Sequence, residues 1–557
     1  MKRSPVRFWL ARTSVAALCL APVMVAAADT GSGHHGGTLR VIAHGAGGTL
    51  DPQVNYTLEY WQVFQSVYDG LLAFKKAPGQ AGLTIVPDLA EAIPQPMDEG
   101  KTYKFTLRKG IRFSDGRDVS VKDVVASFQR IFKVSSPTSG TFFSGIVGAA
   151  ECLKAAETCT LAGGVVGDEA NNTITFHLVT ADAEFFDKLA IVHASILPAD
   201  APIKDTGVQP IPGTGPYKIA SYDPNAELKM VRNEHFKPWS ADAQPDGYPD
   251  EIHYDFGLSE EDEVTQVANG QADWMFEQPP ADRLAEIGTK YRDQVHLSQL
   301  TGIYHLEMNT RLPPFDNIKA RQALNYGVDR KIAVNLFGGA NLGTPSCQIL
   351  PPGISGYQPY CPYTKNPGAK WSAPDMEKAK QLVQESGTAG QEVTLIVEDS
   401  AAQRAIGTYV QSLLTQLGYK ASIKPLSSDI QFTYIQNSNN KVQITLSYWL
   451  QDYPTPSDFL YILFSCDSFH SGSDSSINVT EFCNPGVDMM MKKALSTGVT
   501  DPASAEKMWA EIDKQITDLS PEAVLFVPKH VDFVSKRVGN FSFNPQDFFM
   551  FSQAWVK

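Results

Sequence analysis

Val393-Thr-Leu-Ile-Val-Glu398, Ala401-Ala-Gln-Arg-Ala-Ile-Gly-Thr-Tyr-Val-Gln-Ser-Leu-Leu-Thr-Gln-Leu417, Gly418 and Ala421-Ser-Ile-Lys-Pro425 follow one another closely in this chain. The first and last segments are short and read as strands. Between them Ile406, Val410, Leu413, Leu414 and Leu417 recur at the spacing of one helical face, and Gly418 supplies the stop. Strand, helix and strand in that order predict a βαβ unit with parallel pairing and a right-handed crossover, and hence an α/β fold.

The next stretch outward, Val442-Gln-Ile-Thr-Leu-Ser-Tyr-Trp-Leu-Gln-Asp-Tyr-Pro-Thr-Pro-Ser-Asp-Phe459, reads as a further strand of the same sheet. Val442, Ile444 and Leu446 alternate with smaller or polar residues, and a Pro-containing loop stops the strand at Asp452. Tyr448, Trp449 and Asp452 then share a strand's carboxyl end, the edge at which open α/β sheets bind ligands. Asp452 would supply counter-charge to a ligand's ammonium group and Trp449 a stacking face. The competing reading of Asp452-Tyr-Pro454 is an ordinary turn.

With 557 residues the chain exceeds one hydrophobic core, so two or three domains are expected. Hydrophobic residues at 43% and charged ones at 19% describe a globular protein, and a net charge of −14 argues against a nucleic-acid partner. Residues 1 to 28 read as a secretory signal peptide: Lys2, Arg3, Arg7 and Arg12 precede an apolar run from Val15 to Val25, and cleavage is expected after Ala28. Cys19 lies in this segment, but Leu18 stands where a lipoprotein would want a small residue. An exported, periplasmic protein is therefore expected.

Six further cysteines lie close together in sequence as Cys152 and Cys159, Cys347 and Cys361, Cys466 and Cys483. An even count in an exported chain points to disulfides. Fifteen connectivities are possible, nearest-neighbour pairing being the simplest, and each such staple would contribute ~2 to 3 kcal/mol. Metal-ligand spacings are not seen, and neither a metal nor a cofactor is expected.

Residues 29 to 37 read as a flexible lead-in, with His34 and His35 on a frayed terminus. Gly31-Ser-Gly33-His-His-Gly36 matches a dinucleotide fingerprint formally, but it precedes the first strand, Thr38 to Ala43, instead of following one. Tyr60 to Phe74 reads as a helix burying Val63, Phe64, Val67 and Leu71. Tyr103, Phe105 and Leu107 alternate as a strand, Ser114-Asp-Gly116 turns, and Ser120 caps a helix carrying Val124, Val125 and Phe128.

The block from Thr102 to Ile131 resembles the signature region of the family 5 solute-binding proteins of bacterial ABC importers, the dipeptide and oligopeptide receptors. Leu50-Asp-Pro-Gln53, Val67-Tyr-Asp-Gly-Leu71, Pro212-Gly-Thr-Gly-Pro-Tyr217, Glu307-Met-Asn-Thr310, Pro313-Pro-Phe-Asp316 and Arg321-Gln-Ala-Leu-Asn-Tyr-Gly-Val-Asp-Arg330 resemble further blocks of that family, in the same order. The resemblance implies a two-lobed α/β periplasmic binding protein fold of type II, of the large peptide-receptor kind, with an extra subdomain in the first lobe. It implies a lobe I core at 38–70, 206–300 and 526–557, the extra subdomain at 71–205, and lobe II at 301–525, with hinge crossings near residue 300 and in the tail. It also implies a receptor for di- to oligopeptides that closes on its ligand and passes it to the transmembrane subunits of an ABC permease. A monomer is expected.

By the same resemblance Asp452 would meet a peptide's amino terminus, with Tyr448, Trp449 and Tyr453 around it in a stretch similar to the family's Trp-x-x-Asp-Tyr. Glu307 is a second candidate, Trp274 and Phe276 are candidate cleft residues, and Arg404 is the candidate for a peptide carboxylate. Other ligands of the same receptor role are an oligosaccharide, an opine-like compound or a nickel chelate.

A hydrolase is the rival class. No Gly-x-Ser-x-Gly elbow or His-Glu-x-x-His helix occurs, and Ser438-Asn-Asn-Lys441 and Ser504-Ala-Glu-Lys507 lack the companion sequences of penicillin-binding enzymes. An adhesive role would call for repeats or charged arms, and none appears. The expectation is a protein that is not an enzyme.

Overall fold

The computed structural model describes residue 1 and residues 33–557. The signal segment, its cleavage point and Cys19 lie outside the described residues. Two large sheets organise the rest. The first places Trp274–Met275, Thr38–Ala43, Glu251–Phe256, Glu227–Arg232 and Tyr217–Asp223 side by side. The second runs Val295–Gln299, Glu522–Phe533, Gly302–Met308, Ile444–Leu450, Glu392–Glu398 and Lys420–Leu426. Each has its own apolar core, around Val41, Tyr217 and Tyr254 in one and Leu306, Leu395 and Leu446 in the other.

The βαβ reading holds: Glu392–Glu398 pairs in parallel with Lys420–Leu426, and helix Ala401–Gln416 buries Ile406, Val410, Leu413 and Leu414 against them. Ile444–Leu450 joins the same sheet, parallel to Glu392–Glu398 and antiparallel to Gly302–Met308. The extra layer begins with the small sheet of Thr102–Thr106, Thr173–His177 and Val165–Asp168. Its helix Val121–Lys133 starts at Ser120, whose N–H donates to Asp123 Oδ2 at 2.8 Å. A third core joins this layer to helices Pro456–Phe464, Pro485–Gly498 and Pro502–Leu519.

Two expectations change. The helix read over Tyr60 to Phe74 is Leu58–Phe64, followed by turns and the strand Leu72–Phe74. The reason is tertiary: Tyr217 N–H takes the Ser66 carbonyl at 3.0 Å and Gly215 N–H the Val67 carbonyl at 2.9 Å, so these acceptors leave the helix ladder. The approach requires glycine, because a Cβ on Gly213 would sit 2.0 Å from the Val67 carbonyl oxygen. The lead-in is not frayed throughout either, since the His34 ring stacks on Trp555 with centroids 4.1 Å apart.

The disulfides join Cys152 to Cys159, Cys347 to Cys361 and Cys466 to Cys483, the nearest-neighbour pairing. The strand Glu522–Phe533 carries the second sheet past residue 526, where lobe I was expected to resume, and the next residue, Val534, bridges Trp274 of the first sheet. One continuous strand therefore ties the sheets together.

Leu50-Asp-Pro-Gln53 serves as a buried anchor. Asp51, fully buried, pairs with Arg130, whose Nη1 donates to Asp51 Oδ1 at 3.0 Å and to Gln53 Oε1 at 2.9 Å. Replacing Asp51 by Ala leaves a buried guanidinium without its counter-charge and should cost ~3–5 kcal/mol. Urea unfolding followed by tryptophan fluorescence should show the loss, with Asp51→Asn losing less because it keeps an acceptor.

Candidate functional site

The strand Ile444–Leu450 buries Ile444 and Leu446 in the second core and leaves Tyr448 38% exposed. Gln451 N–H bonds the Thr301 carbonyl at 2.9 Å, and Pro456 opens helix Pro456–Phe464 soon after. The segment around Asp452 is indeed a tight turn, as the simpler reading had it. Its backbone N–H donates to Asp458 Oδ2 at 3.0 Å, and Trp449 Nε1 donates to the same oxygen at 3.4 Å. The Asp452 carboxylate itself points elsewhere and accepts the Tyr56 hydroxyl, which comes from the first lobe.

Asp452 faces a cavity of about 630 Å³ between the two sheets. One wall carries Gly45 to Gly47, Tyr56, Glu59, Trp61, Phe276 and Glu277; the other carries Glu398 to Ala401, Phe432 and Tyr448 to Asp452. Near Asp452 the wall is aromatic: the Tyr56 ring lies 5.8 Å from Trp61, 6.2 Å from Phe432 and 6.2 Å from Trp449. A second cavity of about 400 Å³ adjoins the first across Phe276, Glu398, Tyr448 and Phe548.

Burial pushes the Asp452 carboxyl up to about 7, with hydrogen bonds from Tyr56 and Asp458 acting the other way. Asp458 is fully buried, and burial together with the nearby Asp452 charge raises its carboxyl well above the usual range. Two anions in one dry site repel, so Asp458 keeps its proton and Asp452 is the member that ionises near neutrality.

The same cavity holds Glu59, Glu260, Glu277, Asp282 and Glu398, none with an ion-pair partner among the described residues. Its further carboxylates, Glu261 and Asp399, are taken by Arg283 and Arg404. Burial, then the neighbouring Glu277, raises Glu398 to about 7 and Glu59 well above its ordinary value. Its one basic side chain, His44, commits Nδ1–H to the Leu258 carbonyl at 2.6 Å. This is a carboxyl-rich, partly dry chamber with an aromatic end.

Of the residues singled out from sequence, Asp452, Trp449, Tyr448 and Phe276 line this chamber, and Trp274 lines the adjoining one. Trp274 also donates its indole N–H to Asp532 Oδ1 at 3.0 Å, where the sheets meet. Three others fall elsewhere. Tyr453 is fully buried, its hydroxyl 2.8 Å from Ser457 Oγ and its ring edge-on to Phe142 at 5.5 Å. Glu307 is buried in the second sheet near His305, which bonds Glu522 at 2.6 Å. Arg404 sits exposed on the first turn of its helix, held by Asp399, and lines neither cavity.

Sequence reasoning missed Tyr56, Glu59, Glu277 and Glu398. Tyr56 precedes a helix in an unpatterned Asn-Tyr-Thr stretch, and the three glutamates are more than 100 residues apart in part, so only folding gathers them.

The description "Bacterial extracellular solute-binding proteins, family 5 Middle" matches residues 84–471. Among curated relatives, the glutathione-binding protein GsiB of Salmonella choleraesuis (strain SC-B67) is 27% identical over 562 residues, covering 99% of this chain and 98% of its own. The probable ABC transporter periplasmic-binding protein SapA of Escherichia coli (strain K12) is 26% identical over 434 residues, covering 74% of each chain. Among solved structures, the periplasmic binding protein DppA from Helicobacter pylori in complex with peptide STSA superposes with a TM-score of 0.80. It is 20% identical and is covered over 98% of its length by 94% of this chain, so it speaks for the two-lobed fold alone. With that fold, an interlobe chamber floored by Asp452 and a match over most of its length, this chain belongs to the family 5 bacterial extracellular solute-binding proteins.

Proposed function

We propose that this protein is the periplasmic receptor of an ABC importer, binding di- to oligopeptides in the chamber and delivering them unaltered to membrane-spanning permease subunits. The observation that carries the reading is the Asp452 carboxylate, buried at the aromatic end of a chamber built from both lobes and touched from the opposite lobe by Tyr56. A peptide's ammonium group there would replace the water that burial has removed, and Trp449 and Tyr448 would flank the first residues. The relatives named for peptide or glutathione binding support the same role. Residues 1–28 support export through a cleaved signal peptide near Ala28, and no helix among the described residues is long and apolar enough to cross a membrane.

We infer the lobe division to be 38–70, 206–300 and 526–557 for the lobe I core, 71–205 for its extra subdomain and 301–525 for lobe II; the separate cores of the two large sheets support it, and Val295–Gln299 and Glu522–Phe533 run between them. The continuous strand Glu522–Phe533 and the Val295–Met308 passage would act as the hinge. A ligand touching both walls favours the closed state by its differential affinity.

Adding a mixed pool of di- to pentapeptides should raise the melting temperature, and Asp452→Asn, which keeps the shape and removes the charge, should abolish the rise. A pool that leaves the wild-type melting curve unmoved would sink the peptide reading. Peptide recovered intact after prolonged incubation at high protein concentration is the outcome expected of a receptor; cleaved peptide would mark a hydrolase.

The pH dependence has a definite sign. Asp452 must be ionised and the peptide's amino group protonated, so affinity should be highest between about pH 7 and about pH 8 and fall below that window, towards tenfold per unit, as Asp452 takes up its proton. Calorimetry near pH 7 in buffers of different ionisation enthalpy should show protons released on binding. For the empty protein, the raised carboxyl stabilises the fold below its unfolded value near 4, and that contribution is lost as pH rises through about 7.

A further inference from the structure

Asp452 accounts for one positive charge on the ligand, yet the chamber buries more carboxylate than one ammonium group can neutralise. Glu59 is 9% exposed and lines the chamber, and its Oε1 has no hydrogen-bond partner among the described residues. Glu277 faces it, and its Oε1 accepts the His44 backbone N–H at 2.9 Å. Glu398 closes the group from the second lobe, at the end of its strand. Behind them Glu263 is fully buried; burial and the neighbouring Glu277 raise its carboxyl to about 10, so it keeps a proton that it shares with Glu277. Glu260, Glu261, Asp282 and Asp399 line the chamber as well; among the described residues the basic side chains lining the two cavities are His44, Lys529 and His530, and His530 already lies 3.3 Å from Asp532.

We propose that Glu59, Glu277 and Glu398 form a second cation subsite, so that the ligand carries two positive charges, one at Asp452 and one here. The proposal rests on the chamber being the ligand site and names the chemistry it selects. Glu59 is buried and Glu277 and Glu398 are half-buried, so without a counter-ion these groups are driven to hold protons, and a bound cation would take the protons' place. Repulsion from Glu277 and burial already raise Glu59 and Glu398, the response expected of carboxyls waiting for one.

The spacing fits a peptide. Ile396 pairs with Thr445, and continuing that register sets Glu398 beside Ser447, five residues before Asp452 and on the order of 15 Å along extended chain. An ammonium group at Asp452 followed by two or three extended residues and a lysine side chain spans about that distance. The ligand class is therefore an oligopeptide with Lys or Arg at its second or third position, or a linear polyamine with the same two charges. Glutathione, with two carboxylates and one ammonium group, matches this chamber poorly.

Calorimetric titration of the full-length mature protein with Gly-Ala-Lys-Ala and its norleucine counterpart Gly-Ala-Nle-Ala, and with the pair bearing the residue at position two, isolates the second charge. At least tenfold tighter binding of one lysyl peptide than of its norleucyl partner is expected, with the ratio falling towards one in E398Q and in E59Q. Norleucyl binding by each variant verifies that it is folded. Equal affinities for both members of both pairs in the wild type would overturn the second subsite while leaving the peptide reading intact. Absence of binding by all four peptides and by spermidine titrated alone would remove both. Spermidine binding more tightly than the lysyl peptides, and weakened by E398Q, would support the two-charge site and assign its source as a polyamine.

Discussion

The cost of removing a carboxylate from water governs this molecule's centre. Asp452 is held at a junction where its own turn occupies the backbone, Asp458 takes the indole N–H of Trp449, and a tyrosine hydroxyl from the other lobe covers what remains. Each contact removes solvent without supplying a positive charge. The site is left short of a cation, and the shortage is what makes a charged guest more than a filler of space.

The fold exists to keep that junction assembled from two independently packed sheets. Each sheet has its own core, and the strand Glu522–Phe533, with Trp274 braced on Asp532 and the Val295–Met308 passage paired beside it, links them. The extra layer adds a third core against helices Pro456–Phe464, Pro485–Gly498 and Pro502–Leu519, which fixes the turn bearing Asp452 from behind.

Family membership sets the role, and the chamber sets what fits inside. GsiB, at 27% identity over nearly the whole chain, is named for glutathione. The present chamber concentrates Glu59, Glu260, Glu277 and Glu398 with one histidine among them.

The sequence by itself determined the α/β class, the βαβ unit at Val393 to Pro425, the first strand and the strand leading to Asp452, because each is a local pattern of period two or 3.6. The disulfide cysteines and the carboxylate at the strand's end were legible for the same reason: composition and position within one segment suffice. Only the tertiary structure decided that the helix after Leu58 stops at Phe64, since the acceptors that end it are met by a loop about 150 residues away. It likewise removed Arg404, Tyr453 and Glu307 from the chamber, because a side chain's direction depends on what packs around it. It brought in Tyr56, Glu59, Glu277 and Glu398 from separate segments, a gathering of side chains around one cavity that no local spacing encodes.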